Sequence, residues 1–264
     1  MNILAVVNQK GGTGKTSLAI HLAYFLLERQ KKVIFIDCDP SGDATSTLLQ
    51  GDITLKGQMI ATDDIEALTA SDLFEPGYRM TSVGEALTVF AGTKLLIDID
   101  KSCIEHFADN ISFVNESFGD DVICIIDGGP TAGVLQFATL VVANYMVVPI
   151  ELDRYSLNAT DGVAATIENI HEYNPGLEFI GVIPNRVNRV SPKQIELLQQ
   201  LQVNHPDTLL GEDLYVSQRQ AVRDALDNNQ PVWSLRKESA RLVGKEIIAV
   251  ANAVFKKMGV LNDE

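Results

Sequence analysis

Residues 9–17 read Gln-Lys-Gly-Gly-Thr-Gly-Lys-Thr-Ser, and this glycine-rich stretch decides the fold. An apolar segment, residues 3–7, precedes it, and a segment of helical periodicity, residues 18–27, follows it. Strand, glycine-rich turn and helix in this order are the setting of a phosphate-binding loop, because backbone N–H groups and a helix N-terminus converge there on an anion. We therefore expect Lys15 to reach nucleotide phosphates and the Thr16 hydroxyl to bind Mg²⁺.

The loop departs from the general G-x-x-x-x-G-K-[ST] pattern at its start. Gln9 stands at the position of the first glycine, and Lys10 adds a second cation. With these residues the loop resembles the deviant Walker A motif of the ParA/MinD group of ATPases. The resemblance implies that Lys10 is the signature lysine, which reaches across an ATP-sandwiched homodimer to the partner's nucleotide and so works in trans. The nucleotide contacts that it implies in the loop are those of Lys10, Gly11, Gly12, Thr13, Gly14, Lys15, Thr16 and Ser17.

The composition limits the class of protein. A chain of 264 residues, 46% hydrophobic and 21% charged, suits one globular α/β domain. No apolar run approaches the roughly 18–20 residues that span a bilayer, and no basic segment typical of a signal peptide precedes the first strand. The three cysteines are far apart and form no metal-ligand spacing, which favours a cytoplasmic protein.

The net charge of −14 argues against general attraction to nucleic acid, but it is unevenly distributed. Residues 51–127 contain 15 acidic and 4 basic residues, whereas residues 184–245 contain 9 basic and 7 acidic residues. The C-terminal third is therefore the region where a basic patch can form.

Apolar runs alternate with helical patterns, which predicts a mostly parallel, doubly wound α/β sheet with helices on both faces. The predicted strands are 2–8, 32–37, 87–91, 122–127, 145–150 and 178–184. The predicted helices are 15–30, 101–117, 131–143, 157–173, 192–203, 217–228 and 235–258. We expect the acidic, mixed stretch 51–86 to form surface loops and short helices.

Acidic residues end two of the predicted strands, where ligands bind in such sheets. Asp37 and Asp39 follow the second strand, and neighbouring carboxylates there suit a magnesium shell and a base that positions water. The segment resembles the D-x-D-P-Q switch region of the ParA/MinD group, which implies that Asp39 orients the attacking water and that Asp37 supports the metal and the loop. The sequence departs from the family after Pro40, where Ser-Gly-Asp replaces the frequent Gln-Gly-Asn.

The strand 122–127 ends in Asp127, the general form of a Walker B segment. We expect Asp127 to hold Mg²⁺ through water, because Mg²⁺ keeps several waters and takes few protein ligands. Residues 128–130, Gly-Gly-Pro, allow close approach of the backbone to the γ-phosphate.

Asn185 and Arg186 follow the last predicted strand, in the region where the family has its adenine contacts. The Asn185 amide offers a donor and an acceptor to a base edge, and Arg186 can stack on the base. An ordinary turn with an exposed arginine is the alternative. The resemblance, not the spacing, favours ATP over GTP.

The basic residues of the C-terminal third are candidate contacts to the phosphate backbone of DNA. A normally solvated charged face is the alternative interpretation. The candidates are Arg189, Lys193, Arg219, Arg223, Arg236, Lys237 and Arg241.

The last predicted helix has apolar residues at helical spacing from Leu242 to Met258, which indicates a helix docked on the core. A membrane-targeting amphipathic helix, as in the MinD branch, is the rival interpretation. The chain ends in Asn-Asp-Glu at 262–264, and an anionic membrane surface disfavours such an ending.

The resemblance as a whole implies that residues 1–264 form a single ParA-like ATPase domain of the short type, without a helix-turn-helix segment ahead of the loop. It implies a slow, Mg²⁺-dependent DNA-partition ATPase whose ATP-bound homodimer binds DNA non-specifically, with a ParB-like partner that stimulates hydrolysis. The expected location is the cytoplasm, on the nucleoid and not on a membrane. The rivals are a MinD-like membrane-cycling regulator, a ligase of the dethiobiotin synthetase type, which Gln9 contradicts, and a nitrogenase-type reductase, whose interface cysteines are lacking.

Overall fold

A seven-stranded parallel sheet forms the centre of the computed structural model, which describes residues 1–80, 83–118, 122–129, 133–153 and 159–261. In chain order the strands are β1 (Asn2–Val6), β2 (Lys32–Asp37), β3 (Ile53–Leu55), β4 (Gln58–Ile60), β5 (Ile65–Thr69), β6 (Leu87–Ala91), β7 (Val122–Asp127), β8 (Tyr145–Glu151) and β9 (Glu178–Asn185). The order across the main sheet is β5-β6-β2-β7-β1-β8-β9, and β3 and β4 form a separate antiparallel pair. Every neighbouring pair in the main sheet is parallel.

Helices cover both faces of this sheet, as a doubly wound fold requires. They are α1 (Lys15–Leu27), α2 (Asp43–Leu48), α3 (Ile104–Phe118), α4 (Val134–Val142), α5 (Ala159–His171), α6 (Pro192–Asn204), α7 (Gln220–Asp227) and α8 (Glu238–Lys257). One hydrophobic cluster joins the sheet to α1, α7 and α8, and a second joins the opposite face to α3, α4 and α6. The predicted mostly parallel α/β fold is confirmed.

The central strands carry near-continuous Val and Ile because both of their faces are buried. All six residues of β7 are buried, and so are five of the six in β2. The helix α1 is also surrounded by protein, since it lies between the sheet and α8. There the rings of Phe25 and Phe255 stack with centroids 5.7 Å apart.

The stretch 51–86 contains structure that the sequence analysis did not predict. β5 is a parallel edge strand of the main sheet, with Ile65 opposite Leu87 of β6. Only one side of an edge strand has a neighbour, and Glu66 and Ala67 are exposed, so the segment lacks the apolar run of a central strand. Short 3₁₀ turns at Thr62–Asp64 and Ala70–Phe74 match the short helices that we expected there.

Several predicted elements have different ends. The prediction of a helix at 217–228 is wrong at its start, because α7 begins at Gln220, and the backbone before it pairs with the chain around the end of β9. The helix α2 was not predicted; it follows the Asp37–Pro40 segment directly. The predicted helices 131–143 and 157–173 begin at residues outside the described part of the chain, namely 131, 132, 157 and 158. Residue 130 of the predicted Gly-Gly-Pro segment and the C-terminal residues 262–264 lie outside it too.

Candidate functional site

The carboxyl ends of β1, β2 and β7 bring the predicted site residues to one edge of the sheet. In the register of the strands, Asp127 lies opposite both Val6 of β1 and Asp37 of β2. The glycine-rich loop leaves β1 at this edge and enters α1. Residues far apart in the chain, such as Val6 and Asp127, therefore meet at one location, which agrees with the binding position of ligands in open α/β sheets.

The loop requires glycine at two positions. Gly12 and Gly14 have φ angles of 79° and 82°, a left-handed conformation that side chains strongly disfavour. Gly14 is also the residue that precedes α1, and a Cβ there would lie 2.5 Å from the amide nitrogen of Asn185. The loop is thus closed over the start of α1, where backbone N–H groups are free to bind an anion.

Lys15 points toward the interior of the site, and only 6% of its surface is exposed. Burial lowers the pKa of its ammonium group, while the charges of Asp127 and Asp39 oppose that shift. An ammonium group held among carboxylates at a helix N-terminus is placed to meet phosphate oxygens.

Asp127 is fully buried, and neither of its carboxylate oxygens has a hydrogen-bond partner among the described residues. Burial raises the pKa of Asp127 to about 8. The nearby Thr16 side chain lowers the pKa of Asp127 and so opposes this rise. Its distance and angle to the Asp127 carboxylate are nevertheless not those of a hydrogen bond. A buried carboxylate without partners is costly and rare, and a hydrated Mg²⁺ beside Thr16 would satisfy it. The donor set therefore fits Mg²⁺.

Asp37 is equally buried, but its oxygens are occupied. One oxygen accepts the backbone N–H of Asp39 at 3.0 Å, and the other accepts both the backbone N–H and the hydroxyl of Thr45, at 2.9 and 2.7 Å. Burial raises the pKa of Asp37, and the hydrogen bonds from Thr45 and Asp39 oppose the rise. In this arrangement Asp37 holds the loop, and its predicted contact with the metal stays a prediction.

Asp39 lies at the mouth of the site and is partly exposed. One of its carboxylate oxygens accepts the backbone N–H of Ser41 at 2.8 Å, which ties the side chain to the turn that follows β2. A carboxylate that is anchored on one side and open to solvent can orient a water molecule.

Lys10 is on the surface of the molecule, with 57% of its side chain exposed. Its ammonium group forms an ion pair and hydrogen bond with Asp153, which follows β8, and this contact raises the pKa of Lys10. Its backbone N–H donates to the side chain of Asn8 at 2.9 Å. The two loop lysines thus differ sharply: Lys15 faces inward and Lys10 faces outward.

The structure differs from the expectation for Asn185 and Arg186. The Asn185 amide nitrogen donates to the Thr13 carbonyl at 2.8 Å, and its oxygen accepts the N–H of Arg186 at 2.9 Å. Arg186, whose φ is 55°, donates to the carbonyl of Gly12. Both groups of the buried Asn185 amide are therefore engaged, so it supports the glycine-rich loop and does not present a free edge to a base.

A cleft of about 730 Å³ opens between the start of α1, the end of β9 and residues 216–223. Gly14, Asn185 and Arg186 form one wall. Arg219 and Arg223, which we expected at a DNA surface, also line this cleft. The Arg186 side chain borders this cleft. The structure is therefore compatible with an ordinary exposed turn and with stacking of Arg186 on a base in the cleft.

A second, more open groove of about 500 Å³ is lined by three basic residues of the C-terminal third. It is lined by Arg219, Arg241 and Lys245, together with one acid, Glu238. Lys245 was not among the sequence candidates, although its position four residues after Arg241 in α8 is the spacing that places two side chains on one helix face. Arg219 lines both this groove and the cleft of about 730 Å³.

The other basic candidates lie outside this groove. Lys237 pairs with Asp224 at 2.8 Å, and Arg189 lies 3.9 Å from Glu246. Lys193 and Arg236 are exposed. The structure therefore does not bring all seven sequence candidates to one surface.

The apolar face of α8 is packed against the rest of the protein. Val243, Ile247, Val250, Val254 and Phe255 are all buried. The docked helix that we expected is confirmed for the described residues. No helix in the described part of the chain is long and apolar enough to cross a membrane.

Three comparisons relate this arrangement to known proteins. Residues 1–179 match a family model described as an AAA domain. Protein IncC of Escherichia coli is 33% identical over 261 residues, 98% of this chain and 70% of IncC. The chromosome-partitioning ATPase Soj of Thermus thermophilus is 30% identical over 193 residues, 68% of this chain and 67% of Soj. An ATP complex of McdA from Cyanothece has the same fold, with a TM-score of 0.75 at 20% identity, covering 100% of this chain and 98% of McdA.

Proposed function

This chain belongs to the ParA-type partition ATPases, and from that premise we propose that it couples ATP hydrolysis to reversible, non-specific binding of DNA. Its cofactors are ATP and Mg²⁺. We propose that residues 1–264 act as one ATPase domain, in the cytoplasm and on the nucleoid.

The proposal for nucleotide binding rests on the buried edge of the sheet. Lys15 and the N–H groups of residues 10–17 would hold the phosphates, and Thr16 and Asp127 would hold Mg²⁺, Asp127 through water. The Asp127 carboxylate, which has no hydrogen-bond partner in the described part of the chain, supports this assignment. Mg²⁺ held by these residues would supply positive charge that offsets the negative charge of the phosphates.

Asp39 is the residue that we assign to the attacking water. Its carboxylate is anchored and partly exposed, and it is close enough to Lys15 for its charge to raise the pKa of the Lys15 ammonium group. Phosphoryl transfer needs positioning and charge stabilisation more than covalent chemistry, so one carboxylate that orients water is sufficient as a base.

Lys10 is the charge that completes the site, and we propose that it acts in the partner subunit of a homodimer. Its exposed position supports this, because a lysine directed away from its own loop can reach a second nucleotide without refolding. The ion pair with Asp153 must open when the dimer forms. A cation supplied in trans to a phosphoryl group is worth roughly 10³–10⁵ in rate, so a monomer hydrolyses ATP very slowly.

The observation that carries the DNA proposal is the position of Arg219. It lines the cleft beside the phosphate loop and also the groove that contains Arg241 and Lys245. Nucleotide in the cleft and a phosphate backbone in the groove would therefore contact one shared side chain. Dimerisation doubles the number of grooves, which raises the affinity for DNA in the ATP state. A ParB-like partner would stimulate hydrolysis and so release the dimer.

The alternative is a membrane-cycling regulator of the MinD kind. The buried face of α8 disfavours it, because that face would have to leave the core before it could bind lipid.

Co-sedimentation separates the two functions. With ATP and Mg²⁺ at low salt, the protein is expected to pellet with non-specific double-stranded DNA and to stay in solution with anionic vesicles. With ADP it should bind neither. Pelleting with vesicles alone would support the MinD-like function and contradict the proposal.

A further inference from the structure

The end of β6 lies against the turn that carries Asp39. β6 is the neighbour of β2 in the sheet, so the backbone that follows Ala91 passes beside the backbone that follows Asp37. Gly92 is the residue at this contact, and it is buried.

The contact leaves no space for a side chain at position 92. A Cβ on Gly92 would lie 2.5 Å from the Asp39 carbonyl oxygen and 2.7 Å from the carboxylate carbon of Asp37. From the other side, a Cβ on Gly42 would lie 2.7 Å from the Gly92 carbonyl oxygen, and Gly42 has a φ of 67°. Backbone packs directly on backbone here, and such atoms cannot rotate away as a flexible side chain can.

A polar chain fixes the same contact. The Gly92 N–H donates to the Thr45 hydroxyl at 2.8 Å, and that hydroxyl donates to the Asp37 carboxylate at 2.7 Å. Asp37 in turn accepts the N–H of Asp39 at 3.0 Å, and the Gly42 N–H donates to the Asp39 carbonyl at 3.0 Å. Asp37 and Gly42 therefore hydrogen-bond the Asp39 backbone directly, and Thr45 links Asp37 to Gly92, which packs against the same backbone.

We propose that Gly92 and Thr45 are positioning residues for ATP hydrolysis, which set the location of the Asp39 carboxylate through backbone contact and through Asp37. This inference rests on the role of Asp39 in the proposed function. Gly92 acts by its lack of a side chain, and Thr45 acts by a hydroxyl that both donates and accepts.

The expected effect of Gly92→Ala follows from the distances. Ordinary van der Waals contact begins at about 3.4 Å, and the added methyl carbon would lie 2.5 Å from the Asp39 carbonyl oxygen, so the Asp39 backbone must move by about 1 Å. A displacement of about 1 Å can lower the rate of a catalysed step on the order of 10²-fold. Thr45→Val keeps the shape of the side chain but removes the hydroxyl, so it should have an effect in the same direction.

The test compares these variants in kcat for ATP, in affinity for a fluorescent ATP analogue, in Tm, and in amide exchange of residues 37–45. Gly51→Ala is the matched control, because a Cβ on Gly51 meets no atom within 4 Å. Gly92→Ala and Thr45→Val should lose turnover, keep nucleotide affinity and exchange faster at 37–45. Thr45→Ser should recover most of the turnover that Thr45→Val loses.

Two results would overturn the inference. One is wild-type turnover in Gly92→Ala, and the other is a parallel loss of nucleotide affinity and turnover, which indicates general damage to the site. If Gly92→Ala fails to fold, Thr45→Val decides. Asp39→Ala with wild-type turnover, or a wild type without ATP turnover, would instead contradict the proposed function, and the inference would fall with it.

Discussion

Replacing Arg241 by alanine should change how the binding of DNA depends on salt. Arg241, Arg219 and Lys245 line one groove on the C-terminal side of the protein. If each contacts a phosphate in an ATP-bound dimer, the dimer neutralises six phosphates. Each neutralised phosphate contributes about −0.9 to the slope of log K against log salt, so the wild-type slope is about −5.4.

Arg241→Ala removes two of these contacts per dimer, and the slope should become about −3.6. Between about 50 mM and about 200 mM salt, the affinity of the wild type should fall roughly 10³-fold and that of the variant roughly 10²-fold. The loss should be the same for unrelated DNA sequences, because phosphate contacts carry no sequence information.

Fluorescence anisotropy with two unrelated labelled duplexes, in ATP and at several salt concentrations, measures these slopes. Lys101→Ala is the control. Lys101 is exposed and lies in the acidic stretch 51–127, and its replacement removes one positive charge, as Arg241→Ala does. Equal slopes for Arg241→Ala and Lys101→Ala would refute the assignment of the groove.

Two further predictions concern stability and assembly. His21 is buried, with its pKa lowered to about 4 by burial, so only the unfolded chain takes up a proton as the pH falls below about 6.5. This residue should therefore lower the free energy of unfolding by about 2 kcal/mol between about pH 7.5 and about pH 5. In urea titrations, the drop for His21→Gln should be smaller by that amount. The same pH dependence in His21→Gln and the wild type would contradict this prediction. Turnover of ATP per wild-type monomer should fall on dilution, whereas Lys10→Ala should stay at a low rate, roughly 10³-fold or more below the saturated wild type, at every concentration. Turnover per wild-type monomer that is independent of concentration would argue against action in trans.

The parts of the fold that could be predicted from the sequence are those set by local pattern or by complete burial. The phosphate loop needs only nine consecutive residues, and strands such as β7 are recognisable because both of their faces are apolar. β5 could not be recognised in the same way, because an edge strand with exposed Glu66 and Ala67 has no comparable pattern.

The contacts of the site depend on pairing between distant segments, which no local pattern encodes. Asp153 meets Lys10 across 143 positions, and Asn185 meets the Thr13 carbonyl across 172. The sequence therefore located Asn185 beside the site, but its engagement with the loop required the register of β9. The same holds for Gly92, whose role depends on the neighbouring position of β2 and β6.

The central claim is that hydrolysis through Asp39 ends a DNA-bound dimeric state. The most direct measurement follows the wild type and Asp39→Ala on non-specific DNA at low salt, from the addition of ATP and Mg²⁺ through a chase with excess ADP. Asp39→Ala is expected to bind as a dimer and to stay bound, while the wild type dissociates as it turns over. Absence of ATP-dependent DNA binding by both proteins, or equally fast release of both, would contradict the account.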